Sequence, residues 1–165
     1  MIILRRYLLL LSLLLLFLAP AEAAEQCGKV SWIYDGDTLR VENIGKVRLL
    51  GIDTPETEDS SRDRYYLKAF GIPPKQLRQI ARQAKQFNIR QVKGKRVCLE
   101  FDQQTEDRYG RRLAYLQLPD GRSLNRLLLE KGLASVFRRY PFRNKEDFLT
   151  AEKNARGAQL GLWQP

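Results

Sequence analysis

Five short strand patterns, one amphipathic helix between the third and fourth, and two helices after the fifth predict an α+β domain built on a five-stranded OB-fold barrel. Such barrels commonly bind oligonucleotides, yet a fold does not by itself give a function. Each element is readable in turn.

Lys29 to Tyr34 is the first strand and turns at Asp35-Gly36. Thr38 to Glu42 is the second, with Leu39 and Val41 on one face. Asn43-Ile44-Gly45 makes a hairpin turn, and Lys46 to Ile52 is the third strand. Glu56 to Arg64 is polar and carries too many charges for a core. Pro73-Pro74 opens a helix to about Arg90, in which Leu77, Ile80, Ala81, Ala84 and Phe87 recur at helical spacing. Its other face, with Lys75, Arg78, Arg82 and Lys85, reads as a solvated one, a binding face being the alternative. Lys95 to Phe101 is the fourth strand, Glu106 to Gly110 a charged bend, and Arg111 to Leu118 the fifth strand. Ser123 caps a helix from Leu124 to Lys131 that Gly132 stops. Asn144 caps the last helix, whose first turn holds Glu146 and Asp147 where the helix dipole favours anions. Leu160 to Trp163 folds back as an apolar plug.

Residues 1–23 stand apart. Arg5 and Arg6 precede an apolar run from Leu8 to Leu18, and Ala21-Glu22-Ala23 offers small residues for cleavage. This is the three-part pattern of an export signal peptide. The run makes roughly 20 Å of helix, short for a bilayer, so an uncleaved anchor is the alternative. The expected product is residues 24–165, one domain, secreted or periplasmic, monomeric and without stable membrane association. Residues 1–23 hold two arginines and one glutamate, so the 29 basic and 19 acidic residues become 27 and 18, a net charge of +9. A small domain so basic is suited to polyanions.

Cys27 and Cys98 are the two cysteines. In an oxidising compartment they are expected to form one disulfide, the alternative being two thiols. With no histidine in the chain, Ser-His-Asp and Cys-His nucleophile systems are excluded. Catalysis must come from carboxylates, Arg, Lys, Tyr, hydroxyls or an oxygen-bound metal.

The third strand ends in such groups: RLLGIDTPE, residues 48–56, runs from apolar strand into Asp53 and Glu56 around Pro55. In a three-stranded meander Asp53 returns to the sheet edge where the turn Asp35-Gly36-Asp37-Thr38 lies. Carboxylates converging there call for a hard divalent cation, calcium or a more hydrated magnesium, with the Thr54 carbonyl as a further oxygen. Arg48 on the approach and Arg111 after Tyr109-Gly110 offer guanidinium forks for phosphate. Together these groups suit attack of water on a phosphodiester, with Glu56 orienting or deprotonating the water.

DGDT at 35–38, RLLGIDTPE at 48–56 and DRYGRRLAYL at 107–116 resemble the staphylococcal (micrococcal) nuclease, or thermonuclease-like, family. Asn125, Gly132-Leu133-Ala134, AEKNAR and GLW continue the likeness in order to residue 163. The resemblance implies an OB-fold barrel and calcium-dependent cleavage of DNA and RNA that leaves 3′-phosphate ends. It implies Asp37, Asp53 and the Thr54 carbonyl as Ca2+ ligands, and Arg48, Glu56 and Arg111 as catalytic residues. Asp35 would support the ligands from behind, and Tyr109 would lie near substrate. The stretch Glu58–Pro74 departs from the family's lysine-bearing loop. A non-catalytic nucleic-acid-binding barrel is the competing expectation, though such a module has no need of all five of Asp37, Asp53, Arg48, Glu56 and Arg111.

Overall fold

The computed structural model describes residues 26–165, so the expected leader lies outside the described residues. In chain order these hold β1 (Gln26–Ile33), β2 (Thr38–Val41), β3 (Gly45–Leu49) and a two-residue β4 (Ile52–Asp53). Helices α1 (Ser61–Phe70) and α2 (Pro74–Val92) follow, then β5 (Arg96–Glu106) and β6 (Arg112–Gln117). Helix α3 (Leu124–Glu130), β7 (Ser135–Val136), α4 (Lys145–Gly157) and a 3-10 turn at Gly161–Trp163 complete the chain. Among the described residues no helix is long and apolar enough to cross a membrane.

Strands β1, β2, β3, β6 and β5 close a barrel in that order. The first three form an antiparallel meander, and β3 meets β6 in parallel at the closing seam. Inward positions alternate along each strand because successive Cβ atoms point to opposite faces. Val30, Leu39, Val41, Val47, Leu49, Val97 and Leu99 fill the interior. Cys27 faces Cys98 across β1 and β5, and the two are bonded. The apolar stripe of α2 buries Leu77, Ile80, Ala81 and Ala84, while α3 and α4 bury Leu124, Leu128, Phe148 and Ala151. Leu162 is buried in the terminal turn, and Trp163 meets Phe70 edge to face at 5.3 Å.

Four features differ from the expectation. The third strand stops at Leu49, because Gly51 turns the chain at φ +80°. A Cβ at Gly51 would lie 2.7 Å from the Phe142 ring, so the turn needs glycine on both counts. Ile52 and Asp53 then leave the barrel and pair with β7. Second, two helices rather than one separate the barrel halves. Ser60 accepts from the Arg62 amide and Asp63 reaches back to the Ser60 amide, a capping box that starts α1 within the polar stretch. Third, β5 runs on to Glu106, which pairs with Arg112. Fourth, Asn144 precedes α4 but makes no side-chain cap. Its ψ of 20° is not the extended backbone that aims a cap at the first amides.

Candidate active site

The turn from β1 to β2 is packed from below. A Cβ on Gly36 would lie 2.7 Å from Thr54 Oγ1 and 2.8 Å from Ala84, so glycine lets α2 and Thr54 close onto it. Buried Asn88 of α2 donates Nδ2 to the Gly36 carbonyl at 2.8 Å. The Leu49 amide donates to the Asp37 carbonyl at 2.8 Å, which ties the turn to the end of β3.

Register then sets the side chains. Thr38 stands opposite Arg48, which brings the Arg48 guanidinium to the turn. Its Nη1 donates to Asp37 Oδ1 at 2.6 Å and its Nη2 to Asp53 Oδ1 at 3.3 Å. The two aspartate side chains are 4% and 7% exposed and the arginine 20%. Asp37 also accepts from Thr38 Oγ1 at 2.9 Å and from the Thr54 amide at 3.1 Å. Asp35 accepts from the Asp37 amide at 3.0 Å. One guanidinium therefore joins the two aspartates, which arrive on different elements.

These charges act on one another. Burial first, and then Asp37, push the Asp35 carboxyl up to about 6. Burial and Asp37 raise Asp53, with Arg62 and Arg48 opposing. Glu56 is largely exposed, but partial burial of its carboxyl and the charges of Asp37, Asp35 and Asp53 raise it as well. Burial disfavours the Arg48 charge, yet Asp37 and Asp53 outweigh it and hold the guanidinium more basic than usual.

Arg111 and Tyr109 form a separate group. Both Nε and Nη2 of Arg111 reach Asp107 Oδ2, at 2.7 and 2.6 Å, and Asp107 Oδ1 accepts from the Tyr109 and Arg111 amides. The Tyr109 ring is 67% exposed and centred 5.5 Å from the Arg111 guanidinium. Arg111 precedes Arg112, which pairs with Val47 next to Arg48 along the parallel seam. Among the described residues no hydrogen bond joins Arg111 to Arg48, Asp37 or Asp53.

Sequence reasoning missed the clamp behind Asp53. Arg62 of α1 donates Nε and Nη2 to Asp53 Oδ2 at 3.1 and 2.5 Å. Tyr66, fully buried, holds its hydroxyl 3.0 Å from both Oδ2 and the carbonyl of Asp53, and 3.1 Å from Ser135 Oγ. Arg78 of α2 pairs with Asp63 and fixes α1. Strand β7 is anchored in turn by buried Glu152, which accepts from the Val136 amide at 2.8 Å and pairs with Arg138. The signal was present in Ser60-Ser61-Arg62-Asp63, whose capping pattern announces a helix, with Arg62 and Tyr66 one turn apart.

Among the described residues no group of three His, Cys, Asp or Glu side chains is arranged to hold a metal ion. The oxygen donors at this edge are the buried Asp37 and Asp53 carboxylates. All are hard oxygens, fitting calcium or magnesium better than zinc. Burial first, and then the neighbouring carboxylates, raise Asp35, Asp53 and Glu56, and a divalent cation among them would relieve the repulsive part.

Comparison with known proteins is consistent along the chain. A thermonuclease of Staphylococcus hyicus is 34% identical over 148 residues, covering 87% of this chain and 79% of its own. An uncharacterised protein of Methanocaldococcus jannaschii is 37% identical over 147 residues, covering 82% of this chain and 70% of its own. The endonuclease YncB of Bacillus subtilis is 34% identical over 135 residues, covering 78% of this chain and 57% of its own. The family model described as staphylococcal nuclease homologue matches residues 46–165, from the strand that bears Arg48 to the terminal plug, and the chain belongs to that family.

Proposed function

We propose that this chain is an exported, calcium-dependent nuclease that hydrolyses phosphodiester bonds of DNA and RNA with little sequence preference. The observation that carries the reading is Arg48 bridging two buried aspartates, Asp37 and Asp53, at the sheet edge. Family membership and the named nucleases among the relatives support the reaction class. In this reading Asp37, Asp53 and the Thr54 carbonyl hold calcium, which when bound polarises a phosphoryl oxygen and makes water a better nucleophile.

The chain's own groups do the rest. Arg48 and Arg111 bind the phosphate oxygens and stabilise the charge that grows on them as water adds. Glu56, at the rim, orients the water or takes its proton. The P–O bond to the 5′ oxygen breaks, that oxygen takes a proton from solvent and leaves as a hydroxyl, and a 3′-phosphate end remains. Asp35 steadies Asp37 through its amide, and Tyr109 lines the approach to Arg111.

The test is incubation of the purified protein with single-stranded DNA and with RNA, in calcium and then in excess chelator. Cleavage that requires calcium is the expected result. Tight binding without cleavage under any divalent cation would replace this reading with that of a non-catalytic barrel.

A further inference from the structure

The outer face of the β1–β2–β3 meander carries a row of side chains that the site does not use. Trp32 stands opposite Arg40 across β1 and β2, and Arg40 stands opposite Lys46 across β2 and β3. All three are exposed, Trp32 at 53%. A bulge in β1 puts the tryptophan there. The register shifts between Val30 and Trp32, so Ser31 and Trp32 both face solvent between buried Val30 and Ile33. Strict alternation would turn residue 32 inward.

Cations lie over two rings of this face. Lys93 Nζ lies over the Trp32 indole, 5.3 Å from its centre, and Lys46 Nζ lies over the Tyr34 ring at 4.4 Å. Among the described residues none of Arg40, Lys46 and Lys93 forms an ion pair. Uncompensated cations on one row with an exposed indole match a ligand that combines flat apolar faces with anions.

We propose that this row binds single-stranded nucleic acid outside the catalytic cleft, with Trp32 stacking on a base and Arg40, Lys46 and Lys93 meeting phosphates. The proposal rests on the nuclease reading for its ligand class. Position supports it, because Tyr34 adjoins Asp35 and bonds through its amide to Thr38, so the row starts where the aspartate turn ends. A strand held at the turn can continue over the sheet. Unpaired bases are needed, since a duplex keeps its base faces stacked. An anionic bilayer fits less well, because on this row Trp32 is the sole large exposed apolar side chain among the described residues.

The experiment measures binding of a long oligodeoxythymidylate to the purified protein in chelator, together with calcium-dependent cleavage of that strand and of a dinucleotide. Trp32→Ala is expected to weaken binding about tenfold, the loss of one stacked base. Trp32→Phe keeps a ring and should retain most of the affinity. The chain has two tryptophans, and the indole nitrogen of Trp163 is buried, so strand-induced quenching should vanish in Trp32→Phe. Arg40→Ala and Lys46→Ala should each reduce the slope of log K against log salt by about 0.7. Dinucleotide cleavage should be the same in all of these variants.

Unchanged affinity in Trp32→Ala overturns the proposal, as does equal loss on the long strand and the dinucleotide. Quenching by anionic phospholipid vesicles without quenching by the strand also overturns it. Quenching through Trp32 with no cleavage in calcium supports this surface and refutes the nuclease reading, so the two fail separately.

Discussion

Arg62 and Asp53 meet through two hydrogen bonds on a single oxygen, Nε and Nη2 of the arginine both reaching Oδ2, while Arg48 takes the other oxygen. The aspartate side chain is 7% exposed, so its charge depends on these partners. Arg62→Ala should cost about 1–2 kcal/mol in chelator, the lower range reflecting an arginine that is itself partly solvated. Calcium should restore part of the loss, because in the proposed site it binds only the folded protein and neutralises the same carboxylate. Denaturant unfolding with and without calcium measures both. A deficit that calcium leaves untouched would remove Asp53 from the cation site.

Asp37→Asn tests the other proposed ligand. Asp37 is acceptor to Arg48, Thr38 Oγ1 and the Thr54 amide, on both of its oxygens. An amide has one acceptor oxygen, so its NH2 group must face a donor. The variant should bind calcium at least tenfold more weakly by calorimetry, because it loses a ligand charge, and should lose about 1–3 kcal/mol of stability. Calcium binding at the unaltered affinity would place the cation elsewhere.

Much of this site is legible in the sequence, and the parts that are not share a cause. Strands with period-two burial, such as Leu39–Val41 and Lys46–Leu49, declare themselves, and so does the long stripe of α2. Asp37, Asp53 and Arg48 follow from turn and register, which are local. Helix α1 is hidden because four of its ten residues are charged and it buries one residue, Tyr66, whose partners Asp53 and Ser135 are 13 and 69 positions away. Its apolar periodicity is therefore weak, and only the capping box marks it. The short pairing of β4 with β7 is equally unreadable, since two residues carry no period.

Gly51 is where the chain leaves the barrel to deliver Asp53. Its φ of +80° and its contact with the Phe142 ring leave no room for a Cβ. Gly51→Ala should cost about 1–3 kcal/mol from backbone strain alone. Turnover should fall as well, since Ile52 and Asp53 begin one residue later. A thermal melt and a calcium-saturated rate would check the pair of effects, and a stable variant with full activity would show that the turn can re-form elsewhere.

Reduction of the Cys27–Cys98 bond tests how far the barrel depends on its one covalent closure. The bond joins β1 to β5 across a sequence separation of 71 residues. Restricting an unfolded loop of that length is worth about 4 kcal/mol in the chain-entropy treatment. Reduced protein should therefore unfold at clearly lower denaturant, while its calcium affinity stays the same, the bond lying away from the aspartates. An unshifted midpoint would mean that the bond is not formed in the oxidised protein.

Arg111 and Asp107 supply the last prediction. The arginine spends Nε and Nη2 on one carboxylate oxygen, an arrangement that fixes the plane of the fork on an exposed turn. Lysine can repeat the ion pair but has one point of charge and no fork. The turn itself is held by the Tyr109 and Arg111 amides on Asp107 Oδ1, which the substitution leaves intact. Arg111→Lys should therefore keep its unfolding midpoint and lose about a hundredfold in kcat, the usual cost of removing one aimed donor from a developing oxyanion. Because a phosphate in the ground state still meets a positive charge, KM should move far less than kcat. Single-turnover rates at saturating calcium separate the two constants. A lysine variant that is nearly as fast would mean that the fork is not what stabilises the charge on phosphorus, and Arg48 alone would then carry that role.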